Sequence, residues 1–452
     1  CGTHENSYKT LIAARLIFAD GTLLDTADEN SRKKFSDSHP EFIQKICSIR
    51  DRVKADAELV KLIEKKYRIK NVTGLSINPF IEFDDPFDII LHLIVGSEGT
   101  LAFLSEATMK TVSDLPCKAS AMLYFSSMRT ACEAVIQLKK SPVTAVELFD
   151  RLAIKSVENK PEAIPTLKQL PVDAAVLLIK TEAEDKNSLQ ENIGKVLDVI
   201  PKSSLFSEPF FATDAEDYEP YWTMRSGIFP TVGSTRPIGT TCLIEDVAFQ
   251  IDDLPNATDD MRKILIEHGY TEAVIYGHAL EGNFHFILNQ SFDTAEEIAR
   301  YEKLMNDVIA MVVDKYGGSL KAEHGTGRNM APFVRKEWGE KAWDVMKEVK
   351  QLFDPQNILN PGVIFNDDPQ CHLKNLKTLP KTHDTIDKCI ECGFCEVNCV
   401  SHSFTLSSRQ RIVIQREITR LKQTDENTAR LAELEQDFVY AGDVSCAGDG
   451  LC

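Results

Sequence analysis

The sequence predicts an α+β chain that ends in a cysteine-bearing helical segment, and three observations carry this expectation. From Pro116 onward strand-like and helix-like stretches alternate, as in "SAMLYFSS", "MRTACEAVIQLKK" and "TAVELFD". Before Pro116, an alternating apolar opening gives way to helical spacing. Near the C-terminus, "KCIECGFCEVNC" packs four of the twelve cysteines between Lys388 and Cys399.

In order along the chain, "TLIAARLIFADGTLLDT" within residues 1–30 reads as strands turning at Asp20-Gly21. Phe42, Ile43, Ile46, Ile49, Val53, Leu59, Leu62 and Ile63 recur at helical spacing between Ser31 and Arg68. "IILHLIVGSEGTLAFLSEATMKTV" is expected to return to strand, broken by Gly96 and Gly99. The alternating domain then runs to about Phe353 and closes with the return "FDPQNILNPGVIF". A polar linker precedes two helices, "SSRQRIVIQREITRLKQ", with a hydroxyl cap, and "TARLAELEQDFVY". The resulting division is 1–115, 116–365, a linker at 366–388, and a tail at 389–452.

A chain of 452 residues, 43% hydrophobic, is long enough for two or three domains with cores of their own. A net charge of −18 argues against nucleic acid as a partner, because neutralising phosphates needs a basic surface. No apolar run approaches the ~20 residues of a spanning helix, so any membrane contact is expected to be peripheral. Cys47, Cys117, Cys132 and Cys242 stand singly in apolar contexts, which suits buried free thiols in a reducing cytoplasm. The opening Cys1-Gly2-Thr3, without a methionine, reads as a piece of something longer.

Cys389, Cys392, Cys395 and Cys399 form C-x2-C-x2-C-x3-C, a spacing that wraps thiolates around one compact cluster. Zinc favours two well-separated ligand pairs instead. In two-cluster ferredoxins the fourth cysteine of such a run serves the other cluster, which calls for a second group downstream. Cys446, Asp449 and Cys452 are that group, with Asp449 where a middle cysteine usually stands and Val400 where a proline usually follows.

"AVIYGHALEGNFHFIL" carries His278 and His285 on either side of Glu281-Gly282, and a hairpin turning there would bring the two rings together as a metal pair. "GGSLKAEHGTGRNM" adds Glu323, a carboxylate that completes a two-histidine site, and His324, a candidate general base. In "VGSEGTLAF", Gly96, Ser97, Gly99 and Thr100 could turn backbone N–H groups toward a phosphate or nucleotide ring, and the dinucleotide glycine pattern is absent.

Read together, "GSEGTLAF", "HALEGNFH", "AEHGTG" and "FDPQNILNPG" occur in the order of the FAD-linked oxidases, and the chain resembles that family, with its vanillyl-alcohol-oxidase (PCMH) type flavin fold. The tail resembles the α-helical ferredoxin domain of the succinate dehydrogenase iron–sulfur subunit. The whole resembles the bacterial flavin and iron–sulfur D-lactate dehydrogenases. The resemblance implies part of an FAD-binding domain at 1–115, a substrate cap domain at 116–365 and a truncated iron–sulfur segment at 389–452. It implies His278, His285 and Glu323 as ligands of zinc or manganese, His324 as proton acceptor, Arg225 as clamp for a substrate carboxylate, and Asn283 on the substrate side. It assigns Gly96, Ser97, Gly99, Thr100 and Asn360 to the flavin, and the tail cysteines with Asp449 to 4Fe-4S clusters. Glu281 stands in place of the family's aspartate, and Val363 in place of a frequent lysine.

The activity so implied is oxidation of D-lactate to pyruvate, with electrons leaving through the clusters to a quinone or another carrier. The site implied is cytoplasmic, or peripheral on the cytoplasmic face of the inner membrane. D-2-hydroxyglutarate or glycolate is the alternative substrate, with Arg236 a candidate for a distal carboxylate. An electron-transfer or scaffold subunit is the reading from another class.

Overall fold

The structure, a computed structural model, describes residues 5–160 and 163–450. Cys452 and the opening Cys1-Gly2-Thr3 lie outside the described residues. Two antiparallel sheets organise the chain. The first is small, in the order β2-β1-β3, from β1 (Leu11–Ile17), β2 (Leu23–Asp25) and β3 (Phe103–Met109). The Asp20-Gly21 turn forms as expected, with Gly21 at φ +85°.

Three helices follow, Glu29–Ser38, Pro40–Ala55 and Ala57–Lys66. Two have acidic caps: the Asp28 carboxylate accepts from Asn30 N, and that of Asp56 from Glu58 N and Leu59 N. Their inner faces bury Phe35, Ile46, Ile49, Val53, Leu59 and Ile63. The same core takes in Val334, Trp338 and Met346 from the helix Val334–Phe353, so residues about 300 positions apart share one interior.

One expected strand is a helix. Pro86–Leu93, which takes in the start of "IILHLIVGSEGTLAFLSEATMKTV", is helical because Asp85 accepts from Phe87 N and Pro86 occupies the first turn, where a missing N–H costs nothing. The segment is buried nearly all round, and an apolar run buried on every side has no periodicity to separate helix from strand. Strand resumes only at Phe103.

The second sheet has seven strands in the order β7-β4-β6-β5-β9-β10-β8. They are β4 (Cys117–Phe125), β5 (Val143–Phe149), β6 (Ala175–Ala183), β7 (Phe211–Ala212), β8 (Thr241–Ala248), β9 (Val274–His278) and β10 (Asn283–Gln290). Alternate residues feed two cores. Leu123, Leu148, Leu177 and Phe286 meet the helices Met128–Leu138 and Leu254–Glu267 on one face. Met122, Tyr124, Val176 and Tyr276 meet Arg151–Val157 and Ala215–Ser234 on the other. The tail forms the two expected helices, Ser408–Thr424, opened by a capping box of Ser407 and Gln410, and Thr428–Phe438, capped by Asn427. Among the described residues, no helix is long and apolar enough to cross a membrane.

Candidate functional site

Strand register builds the site. Glu147 of β5 pairs with His278 of β9, while His285 of β10 pairs with both Tyr276 of β9 and Asp246 of β8. Direct cross-strand partners share a face of the sheet, so these five side chains gather on the face that Ala215–Ser234 covers. The expected turn is present: Ala279–Glu281 leads to Gly282 at φ +65°, where a Cβ would stand 2.0 Å from the Phe249 carbonyl. The two histidines are diagonal neighbours, their ring centroids 5.2 Å apart.

Glu323 reaches both rings. Its Oε1 lies 3.0 Å from His278 Nε2 and 3.3 Å from His285 Nε2, and Lys70 donates to its Oε2 at 3.0 Å. Two ligands each held ~2.0–2.1 Å from one ion, at tetrahedral or octahedral angles, lie roughly 2.9–3.4 Å apart. The observed separations match that spacing, and two imidazoles with one carboxylate suit a divalent ion with open positions. The residues present therefore fit the metal that the resemblance implies. Asp246, His285 and His324 form a second group with ligand atoms within 4.8 Å, but His285 cannot serve both at once through Nε2.

What favours the first group is the support behind it. His278 Nδ1 lies 2.7 Å from Glu147 Oε1. An ionised carboxylate only accepts, so this contact puts a proton on Nδ1 and turns Nε2 toward Glu323. Arg225 Nε donates to the other Glu147 oxygen at 3.0 Å, and Arg225 Nη2 lies 3.5 Å from His278 Nε2. Burial alone would raise the Glu147 carboxyl, but His278 and Arg225 overcome it and hold it at about 2. Glu323 shows the same balance: burial pushes up, and the hydrogen bonds of His278 and His285 hold it far below the ordinary glutamate range. Burial lowers His285, whereas His278 is raised because its two carboxylate partners outweigh burial. Glu147→Gln, which keeps size and removes charge, is expected to weaken binding of zinc or manganese roughly 10–100-fold, read by titration with a competing chelator.

His324 stands beside this centre. Its ring stacks on His285 with centroids 4.8 Å apart, and its Nδ1 lies 3.5 Å from Asp246 Oδ1. The other Asp246 oxygen accepts from the backbone of Ala322 at 2.9 Å, Glu323 at 2.6 Å and His324 at 3.3 Å. One fully buried aspartate thus shapes the loop that presents both Glu323 and His324.

The loop after His324 is clasped by Glu98, whose carboxylate accepts from Thr326 N at 2.6 Å and Gly327 N at 2.8 Å. Asn360 completes the clasp by donating to the Glu98 carbonyl at 2.7 Å. Ser97 and Thr100 turn inward, and the Thr100 hydroxyl bonds Ser97 O at 2.7 Å. Gly99, at φ +70°, has open space where a Cβ would be, and a cavity of about 240 Å³ runs past Ser97, Glu98, Gly99, Phe103 and Leu359. Gly99 thus leaves one side of this loop open, while the Thr100 hydroxyl is turned into the protein.

Asn283 is fully buried, its Nδ2 bonded to Val247 O at 3.0 Å and its Oδ1 without a partner. Arg236 is buried and bonded only to backbone carbonyls, so its expected role toward a distal carboxylate is withdrawn. Glu147, Asp246 and Glu98 were missed, although each is an acid standing alone or paired in an otherwise apolar or glycine-rich stretch.

Cys389, Cys392, Cys395 and Cys399 are free thiols on an irregular segment, and Cys446 is a free thiol beyond the two tail helices. Cys389 Sγ accepts from Glu391 N at 3.3 Å. Burial would raise the Cys399 thiol, but the amides of Ser401 and Ser408, with Arg411, lower it. Burial raises the Cys389 thiol. Cysteine sulfurs at this spacing are the donor type that an iron–sulfur cluster takes.

The fold class is that of p-cresol methylhydroxylase, whose substrate-bound crystal structure covers 79% of this chain and is itself covered to 66%, with a TM-score of 0.50 and 12% identity. Residues 116–364 match the family "FAD linked oxidases, C-terminal domain", and the chain belongs to it. Glycolate oxidase subunit GlcD of Bacillus subtilis (strain 168) is 25% identical over 62% of this chain, and a probable mitochondrial D-lactate dehydrogenase of Danio rerio is 27% identical over 61%. D-2-hydroxyglutarate dehydrogenase of Stutzerimonas stutzeri (strain A1501) is 26% identical over 66%. The chain spans only 57%, 54% and 60% of these relatives.

Proposed function

We infer that the chain is the substrate-oxidising part of an FAD-dependent D-2-hydroxy-acid dehydrogenase, with D-lactate as substrate and pyruvate as product. The observation that carries this reading is the convergence of His278, His285 and Glu323, with Arg225 3.5 Å from His278 and His324 stacked on His285. Relatives named for D-lactate, glycolate and D-2-hydroxyglutarate support a 2-hydroxy acid. Arg236, the candidate for a distal carboxylate, is engaged by backbone carbonyls, which removes that support for D-2-hydroxyglutarate.

FAD, when bound, supplies the two-electron acceptor, and a divalent ion, when bound at His278, His285 and Glu323, supplies a Lewis acid. Arg225, tied by Nε to Glu147 and with Nη2 3.5 Å from His278 Nε2, offers Nη1 to the substrate carboxylate. His324 takes the hydroxyl proton as the C2 hydride departs, and Asp246, facing Nδ1, leaves Nε2 to receive it. The tail is read as the exit for electrons toward a quinone or another carrier. The holoenzyme, kept anaerobic and mixed separately with D-lactate, L-lactate, glycolate and D-2-hydroxyglutarate, is expected to lose its flavin absorbance rapidly with D-lactate. Bleaching by glycolate or D-2-hydroxyglutarate instead moves the substrate; bleaching by none refutes the reading.

A further inference from the structure

Arg236 follows the Ala215–Ser234 helix and is 7% exposed. A guanidinium has five N–H groups, and here each meets a backbone carbonyl. Nε donates to Thr240 O at 2.8 Å, and Nη1 to Gly233 O at 2.7 Å and Lys388 O at 2.9 Å. Nη2 donates to Asp387 O at 3.1 Å and Cys389 O at 2.9 Å. Two acceptors belong to the arginine's own neighbourhood, and three to the turn carrying the first cysteine of the tail.

Arg416, 4% exposed on the helix Ser408–Thr424, grips the same turn from the other side. Its Nη2 donates to Ile386 O at 3.0 Å and Cys389 O at 2.8 Å, while Nη1 pairs with Glu391 at 2.6 Å. The Cys389 carbonyl is therefore shared by one guanidinium from the oxidase domain and one from the tail. Close packing accompanies the bonds: a Cβ on Gly233 would stand 2.6 Å from Ile390 Cγ2, so only glycine lets Ile390 lie against the helix. Two buried cations with one carboxylate among their bonded partners leave positive charge beside the Cys389 turn, which complements an anionic cluster. The same helix carries Arg225, eight residues before Gly233 and about 12 Å along its axis.

We propose that Arg236 and Arg416 form a latch that clamps the Cys389 turn against the Arg225 helix and so fixes a tail-bound iron–sulfur cluster relative to the substrate site. This rests on the reading of the tail as a cluster ligand. Arg236 and Arg416 are positioning residues, with no contact to the reacting atoms.

The test compares the wild-type full chain, purified anaerobically with iron and sulfide, with Arg236→Lys, Gly233→Ala and the double variant Gly233→Ala/Ile390→Ala. Alanine is a better helix former than glycine, so Gly233→Ala challenges the contact rather than the helix. Iron content and the reduced-state electron paramagnetic resonance signal are expected to persist in all four. Tryptic cleavage at Lys374, Lys377 and Lys381 is expected to quicken roughly tenfold in Arg236→Lys and Gly233→Ala and to return toward wild type in the double variant. Cluster reduction after flavin bleaching should slow in the same two proteins. Wild-type cleavage in Arg236→Lys and Gly233→Ala, with iron retained, would overturn the latch alone. Absence of iron from the wild type would overturn the cluster reading and the proposal with it.

Discussion

Replacing His278 and His285 together by alanine is expected to bring bound zinc or manganese down to background while the chain stays folded. Both rings contribute Nε2 to the space bordered by Glu323 Oε1, at 3.0 and 3.3 Å. Removing two of three ligands should cost more than the roughly 10–100-fold expected from altering a supporting partner such as Glu147. Elemental analysis after dialysis decides the matter, with circular dichroism as the check on folding. Unchanged metal content in the double variant would show that the three residues are not the ligands. Turnover of D-lactate should fall with the metal, and metal loss with full turnover would leave the site structural.

His324→Ala is the second large effect. It should lower kcat by on the order of 10²–10⁴-fold, with metal content unchanged when the ion is held by His278, His285 and Glu323, a group to which His324 does not belong. Steady-state kinetics with D-lactate give the answer, and they separate the base from the clamp. Loss of His324 should act on kcat, whereas Arg225→Lys, which keeps charge but loses the fork, should raise KM as well. A kcat within a few-fold of wild type in His324→Ala would reassign the proton acceptor.

Much of this was legible in the sequence because local rules and tertiary context agreed. The hairpin between His278 and His285, the Asp20-Gly21 turn, the alternating domain after Pro116 and both tail helices followed from turn chemistry, periodicity and caps. Pro86–Leu93 was misread because a segment buried on all sides shows no periodicity. Glu147 and Asp246 escaped for another reason. Each is an acid in an apolar strand, and its role appears only once register sets it opposite a histidine more than 35 residues away. Arg236 was read as a candidate for a distal carboxylate, but three of its five carbonyl partners come from residues 387–389, which no local pattern links to it.

The Glu98 clasp makes two loops behave as one. The carboxylate that bends back from the Gly96–Thr100 loop ends on the amides of Thr326 and Gly327, two and three residues beyond His324. A molecule that orders the first loop therefore lowers the entropy left to the second, and the reverse holds by the same amount. Affinity for a ligand at the first loop and affinity for a ligand beside His324 then become reciprocal quantities, each a gauge of the other, through a link made of one side chain.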